Sequence, residues 1–230
     1  KQADKQSLIA STTKIMTALV VCEQCNVLDR DRIHKEAVGI EGSSVYLQEG
    51  EILTIQELLY GMMLHSGNDA ATALAIYCGG TVEGFAELMN EKAKRLGMLD
   101  TSFKNPSGLP EKDHYSTAYD MALLGSYAVK NPVFRSICSS KSYTAEIGNP
   151  THETTLYNHN KLLNKYDGAF GIKTGFTKAA GRCLVSAVER EGITLVAVTL
   201  NAYDDWNDHL KLYDYCFDLL SVNKIDLSMA

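Results

Sequence analysis

Hydrophobic and polar positions change rhythm once along this chain, from helical spacing in the first two thirds to strand-length apolar runs after Asp167. Ile15, Ala18, Leu19 and Cys22 recur at helical intervals, which predicts a buried helix with Ser11 at its N-terminal end. Thr54 and Glu57 form a capping box opening a helix through Leu58, Leu59, Met62 and Met63, which stops at His65-Ser66-Gly67-Asn68. A helix from about Asp69 to Tyr77 follows. Another runs from Thr81 with Phe85, Leu88, Met89 and Leu96 on one face and Gly97 as its stop. Thr117 with Asp120 starts a further helix that ends before Pro132.

The three apolar runs, Ala169 to Lys173, Arg182 to Glu189 and Thr194 to Leu200, are punctuated by Gly175, Gly181 and Gly192 and predict strands. Only Arg190, Glu191 and Gly192 separate the last two, so they read as an antiparallel hairpin. A closing amphipathic helix carries Trp206, Leu210, Tyr213, Phe217 and Leu220. Helices first, then strands, then a helix implies an α+β fold with a helical lobe, not alternating βαβ units.

Composition narrows the function classes. The chain has 230 residues, 45% hydrophobic and 22% charged, the range of one globular domain. A net charge of -6 and the lack of long basic runs give no reason to expect nucleic acid as a partner. No stretch of about 18 apolar residues is present, so no membrane-spanning segment is expected. Six scattered cysteines do not build a disulfide scaffold. Cys22 and Cys25 form a lone C-x-x-C late in a helix, without a second pair for zinc and away from the N-terminal position that activates a thiol.

Three short motifs carry candidate chemistry. Ser11-Thr12-Thr13-Lys14 sets a hydroxyl and an amine three residues apart on one helix face, and a lysine desolvated by Leu8, Ile9, Ile15 and Met16 can take the serine's proton. Taken alone, it reads more readily as an N-cap serine followed by a surface lysine. Ser66-Gly67-Asn68 projects a hydroxyl and a carboxamide from a break between helices, or is an ordinary turn. Lys173-Thr174-Gly175 closes an apolar strand, where Gly175 lets a ligand backbone lie along the strand edge; a plain strand end is the alternative.

In the order S-x-x-K, S-x-N, K-T-G the three motifs resemble those of penicillin-binding proteins and class A β-lactamases. Residues 9–18, Asn105-Pro106-Ser107-Gly108-Leu109, Ser116 to Asp120 and Asn158-His159-Asn160 extend the likeness to the low-molecular-mass penicillin-binding proteins that act as D,D-carboxypeptidases, the peptidase S11 family. The resemblance implies a β-lactamase/transpeptidase-like fold, a mostly antiparallel sheet packed by helices with an all-helical lobe, the mainly helical part of the chain running over about 41–165. It implies an acyl-enzyme on Ser11, with Lys14 as base and Ser66 relaying the proton to the leaving D-alanine. Asn68 would orient the acyl chain's amide, while Lys173 and Thr174 would meet the terminal carboxylate beside Gly175. The backbone N–H groups of Ser11 and Phe176 would hold the oxyanion.

The implied partners are peptidoglycan stem peptides ending in D-Ala-D-Ala and β-lactams, in the bacterial cell envelope, with no metal or organic cofactor. A β-lactamase-like hydrolase and a non-catalytic peptidoglycan-recognition module are the alternatives. The S-G-N form of the middle motif, and the lack of a recognisable glutamate loop around Glu111, Glu146 or Glu153, favour the carboxypeptidase. Two departures from the family pattern are visible. Ten residues precede Ser11 where the family has two strands, so the sheet is expected to lack an edge, in a single catalytic domain over 1–230. Asn201 to Trp206 holds none of the basic residues some members place there, leaving His159 or Arg182 to stand in.

Overall fold

A computed structural model describes residues 1–228. The N-terminal segment runs through a 3₁₀ turn, Ala10–Thr13, into α1 (Lys14–Gln24). Ile15, Met16, Ala18, Leu19, Val20 and Val21 are all essentially inaccessible, so α1 is buried on every side as far as Val21, as an apolar helix at the centre of a core must be. A small ladder, β1 (Arg30–Arg32) with β2 (Ile52–Thr54), leads into α2 (Ile55–Leu64). The expected capping box closes α2: Glu57 N–H donates to Thr54 Oγ1 and Thr54 N–H to Glu57 Oε2.

Helices α3 (Asn68–Gly79), α4 (Val82–Leu96) and α5 (Ala118–Ala128) follow, with Thr81 and Thr117 as side-chain caps of the last two. Pro132 does more than stop a helix. It opens α6 (Pro132–Ser139), where its missing N–H is not needed and Asn131 caps the first turn.

The lobe is not wholly helical, because β3 (Ser142–Ile147) and β4 (His152–Tyr157) form an antiparallel hairpin within it. Ala145, Ile147 and Leu156 point inward while Thr, Glu and His residues face out. So polar a stretch offers no apolar run, and the strands are held by pairing plus a few inward side chains.

The main sheet is β5 (Ala169–Thr177), β6 (Gly181–Arg190) and β7 (Ile193–Thr199), antiparallel in that order. The β6–β7 turn is tighter than expected: Glu191 and Gly192 both adopt positive φ, 49° and 76°, the two-residue loop that matches strand twist. One face, with Ile172, Val185 and Ala187, packs on the core shared with α1, α5 and α6. The other, with Leu184, Val188 and Ala197, packs on α7 (Asp205–Ser228) through Tyr213. Among the described residues β5 and β7 are the sheet's edges, and the first residues bridge to Ser116 instead of joining β7. None of the helices is long and apolar enough to cross a membrane among the described residues.

Between sheet and α7, Ser186 Oγ lies 2.6 Å from both His209 Nδ1 and Tyr213 Oη, and His209 Nε2 is 3.1 Å from Thr199 Oγ1. Burial lowers His209 to a pKa of about 4, and His114, buried against α1, is lowered to about 4 chiefly by the same cause. An unfolded chain binds both protons near pH 6.5, whereas the folded chain refuses them until about pH 4. Stability is therefore full above pH 6.5, falls as the pH drops toward 4, and loses about 3 kcal/mol per histidine. Thermal melts from pH 7.5 to 5, above the carboxylate range, should show this decline, and His209→Gln should flatten it. An unchanged slope in that variant would overturn the assignment.

Candidate active site

Ser11 sits on the 3₁₀ turn and Lys14 opens α1, so the predicted spacing brings Lys14 Nζ to 3.0 Å from Ser11 Oγ. Nζ is also 2.7 Å from Asn68 Oδ1 and 2.7 Å from the Ser107 carbonyl oxygen. Those two oxygens can only accept. A neutral amine satisfies both with its two hydrogens and has its lone pair left for the Ser11 hydroxyl. Burial, reinforced by the charge of Lys173 and opposed by Asp69, holds the Lys14 pKa well below 10.5.

The break between α2 and α3, the start of α3 and strand β5 present the other polar groups. Ser66 has φ of +67°, a backbone conformation uncommon for a side-chain-bearing residue. Its Oγ lies 3.1 Å from Lys173 Nζ, which also donates to the Thr174 carbonyl at 3.0 Å. Lys173 is 2% exposed and burial pulls it down to about 7. Asn68 is anchored at both ends, with Oδ1 on Lys14 and Nδ2 donating to the Glu41 carbonyl at 2.6 Å.

A cleft of about 360 Å³ opens over these groups, with Ser11, Ser66, His159, Thr174, Phe176 and Arg182 in its walls. The K-T-G segment lies within β5, which continues to Thr177, instead of closing the strand. The close approach that Gly175 permits is to the protein itself: a Cβ there would sit 3.0 Å from Ser11 N and 3.1 Å from Thr12 N. The glycine lets the edge strand lie against the Ser11 turn, beside which the Phe176 backbone continues.

A model of the peptidase S11 family, the D-alanyl-D-alanine carboxypeptidases, matches residues 1–204. The chain belongs to peptidase S11. It is 37% identical over 208 residues to the D-alanyl-D-alanine carboxypeptidase DacF of Bacillus subtilis, covering 88% of this chain and 53% of that protein. It is 37% identical over 238 residues to a D-alanyl-D-alanine carboxypeptidase of Streptomyces strain K15, covering 95% and 82%. The chain thus spans about half the length of the Bacillus relative and most of the Streptomyces one. The crystal structure of the Streptomyces K15 DD-transpeptidase superposes with a TM-score of 0.89 at 36% identity, over 95% of this chain and 90% of that one. The fold is that β-lactamase/transpeptidase-like architecture, as the motif order implied.

Three further residues support this S11 site, and of these only Gly108 lies in a segment that carried the resemblance. Asp69 accepts from Ser44 Oγ at 2.6 Å and from the N–H groups of Val45 and Leu47 at 3.1 Å, pinning the loop beneath Asn68. His114 Nδ1 accepts from Lys104 N–H, so Nε2 carries the proton and donates to Thr13 Oγ1 at 2.9 Å. Gly108, at φ +83°, lies so near Ala10 that a Cβ would be 1.9 Å from the Ala10 carbonyl oxygen. Ala10 itself has φ +45°, so the residue before Ser11 is held in a strained conformation by its neighbours.

The C-x-x-C pair does not join this site. Cys22 and Cys25 lie at the far end of α1, partly buried, and burial pushes the Cys22 thiol up to about 12, away from reactivity.

Proposed function

We propose that the chain is the catalytic unit of a serine D,D-carboxypeptidase that removes the terminal D-alanine from peptidoglycan stem peptides in the cell envelope and is acylated by β-lactams. The observation that carries this reading is Lys14, a buried amine with two obligate acceptors and a serine hydroxyl as its partners. Ser11 Oγ attacks the penultimate residue's carbonyl carbon as its proton moves to Lys14 Nζ. The N–H groups of Ser11 and Phe176 receive the developing oxyanion. Ser66, in contact with Lys173, gives its hydroxyl proton to the departing D-alanine nitrogen and regains one from Lys14, which held the proton of Ser11; water then opens the acyl-enzyme.

Asn68 positions Lys14 through Oδ1 and has one Nδ2 hydrogen left beyond the Glu41 contact to orient the acyl chain's amide. Lys173 supplies positive charge to the site, and Thr174, on the edge strand, donates to the terminal carboxylate. A peptide can add alongside β5 by main-chain hydrogen bonds.

Deacylation of a bulky penicilloyl group needs an activated water. Among the described residues the carboxylate lining the cleft is Asp205, and it is bound to Arg182. That favours a long-lived adduct over β-lactamase turnover. Intact-protein mass spectrometry with benzylpenicillin should show one stable adduct in the wild type and none in Ser11→Ala. Rapid drug hydrolysis without an adduct would show a β-lactamase. An adduct persisting in Ser11→Ala would overturn the assignment of the nucleophile.

A further inference from the structure

We propose that Arg182, aimed by Asp205, is the residue that recognises the substrate's terminal carboxylate, sharing it with Thr174. This rests on the carboxypeptidase reading above and names the group that gives it preference for a free C-terminus.

Arg182, the second residue of β6, lies directly across from Phe176 in the register of β5 and β6. Thr174 lies two residues along β5 on the same face, a diagonal neighbour at roughly 7–8 Å between Cα atoms, within reach of a long side chain. The Arg182 side chain is 44% exposed and forms part of the cleft wall. Its inner edge is fixed: Nε donates to Asp205 Oδ1 at 3.0 Å and Nη2 to the same oxygen at 2.9 Å. Asp205 is 5% exposed and also accepts from Trp206 N–H in the first turn of α7, so it cannot swing away cheaply. A clamped guanidinium with an open edge is a preorganised receptor for a second carboxylate.

The other cations of the cleft are poorer candidates. Lys173 is buried and its Nζ is committed to Ser66 Oγ and the Thr174 carbonyl. Lys161 is exposed at the cleft margin, without a buried partner to aim it. No lysine or arginine follows β7 between Asn201 and Trp206.

The test compares acylation of Ser11 by benzylpenicillin, which carries a carboxylate, with acylation by p-nitrophenyl acetate, which does not. Arg182→Gln should slow penicillin acylation and raise KM for a D-Ala-D-Ala peptide by about 10- to 100-fold, with kcat within about threefold. The neutral ester should react at the wild-type rate. Asp205→Asn, which keeps the cation but loosens it, should fall between, and Arg182→Lys should recover part of the loss. If Arg182→Gln reacts with penicillin as fast as wild type, the proposal is wrong while the carboxypeptidase reading stands. Equal losses with both acylators would make Arg182 a structural residue and also overturn it. A wild type that penicillin fails to label would sink both readings.

Discussion

Lys14→Ala is expected to slow acylation of Ser11 by benzylpenicillin by about 10³-fold, near the middle of what a positioned general base contributes. The geometry leaves little else to take the proton, because the recorded partner of Ser11 Oγ is Lys14 Nζ at 3.0 Å. Alanine also leaves Asn68 Oδ1 and the Ser107 carbonyl without their buried donor, so part of any loss could come from a loosened site. Lys14→Arg separates the two effects. Arginine keeps donors for the two oxygens but is always charged and cannot give up its proton near neutrality, so it cannot act as a base. Both variants should be slow when adduct formation is followed by mass spectrometry. Recovery to within tenfold of wild type in Lys14→Arg would mean that Lys14 supplies charge and not proton transfer. The rate in the wild type should rise with pH through the Lys14 pKa, which burial brings well below 10.5, because only the deprotonated amine accepts a proton.

Gly108→Ala should be the most damaging small substitution in the chain. At φ +83° any side chain is strained by about 1–2 kcal/mol. Here the added carbon would also lie 1.9 Å from the Ala10 carbonyl oxygen and 2.8 Å from Thr13 Oγ1, so backbone must move. A total of about 3 kcal/mol is expected, lowering the melting temperature by roughly 10 °C. The displaced groups flank Ser11 and Lys14, so penicillin acylation should fall by at least about 100-fold even in the folded fraction. Gly97→Ala is the control. Its φ of +78° carries similar strain, but nothing lies within 4 Å of its Cβ position. Equal effects at the two positions would show that conformation, and not the approach to Ala10, makes Gly108 necessary.

Local chemistry made much of the fold legible. Thr54 with Glu57, Thr81 and Thr117 announce helix starts because a cap is completed within three residues. The apolar runs of β5, β6 and β7 announce strands because both faces are covered, one by α5 and α6, the other by α7. The β3–β4 hairpin was silent because its outward face is mostly Ser, Thr, Glu and His, and α6 because proline at a first turn looks like proline at a stop. Gly175 was legible as a place of close approach, but not as a contact with the Ser11 turn.

By itself the sequence determined which groups could do chemistry, namely a serine and lysine one turn apart, a second serine in a helix break and a lysine on a strand. Only the tertiary structure set them within reach of one another. Lys14 meets Asn68 across 54 residues and Ser107 across 93, and Lys173 meets Ser66 across 107. The physical reason lies in solvation. A lysine on a peptide helix is a hydrated cation, and it becomes a candidate base only where the fold removes the water and sets two carbonyl oxygens on its hydrogens.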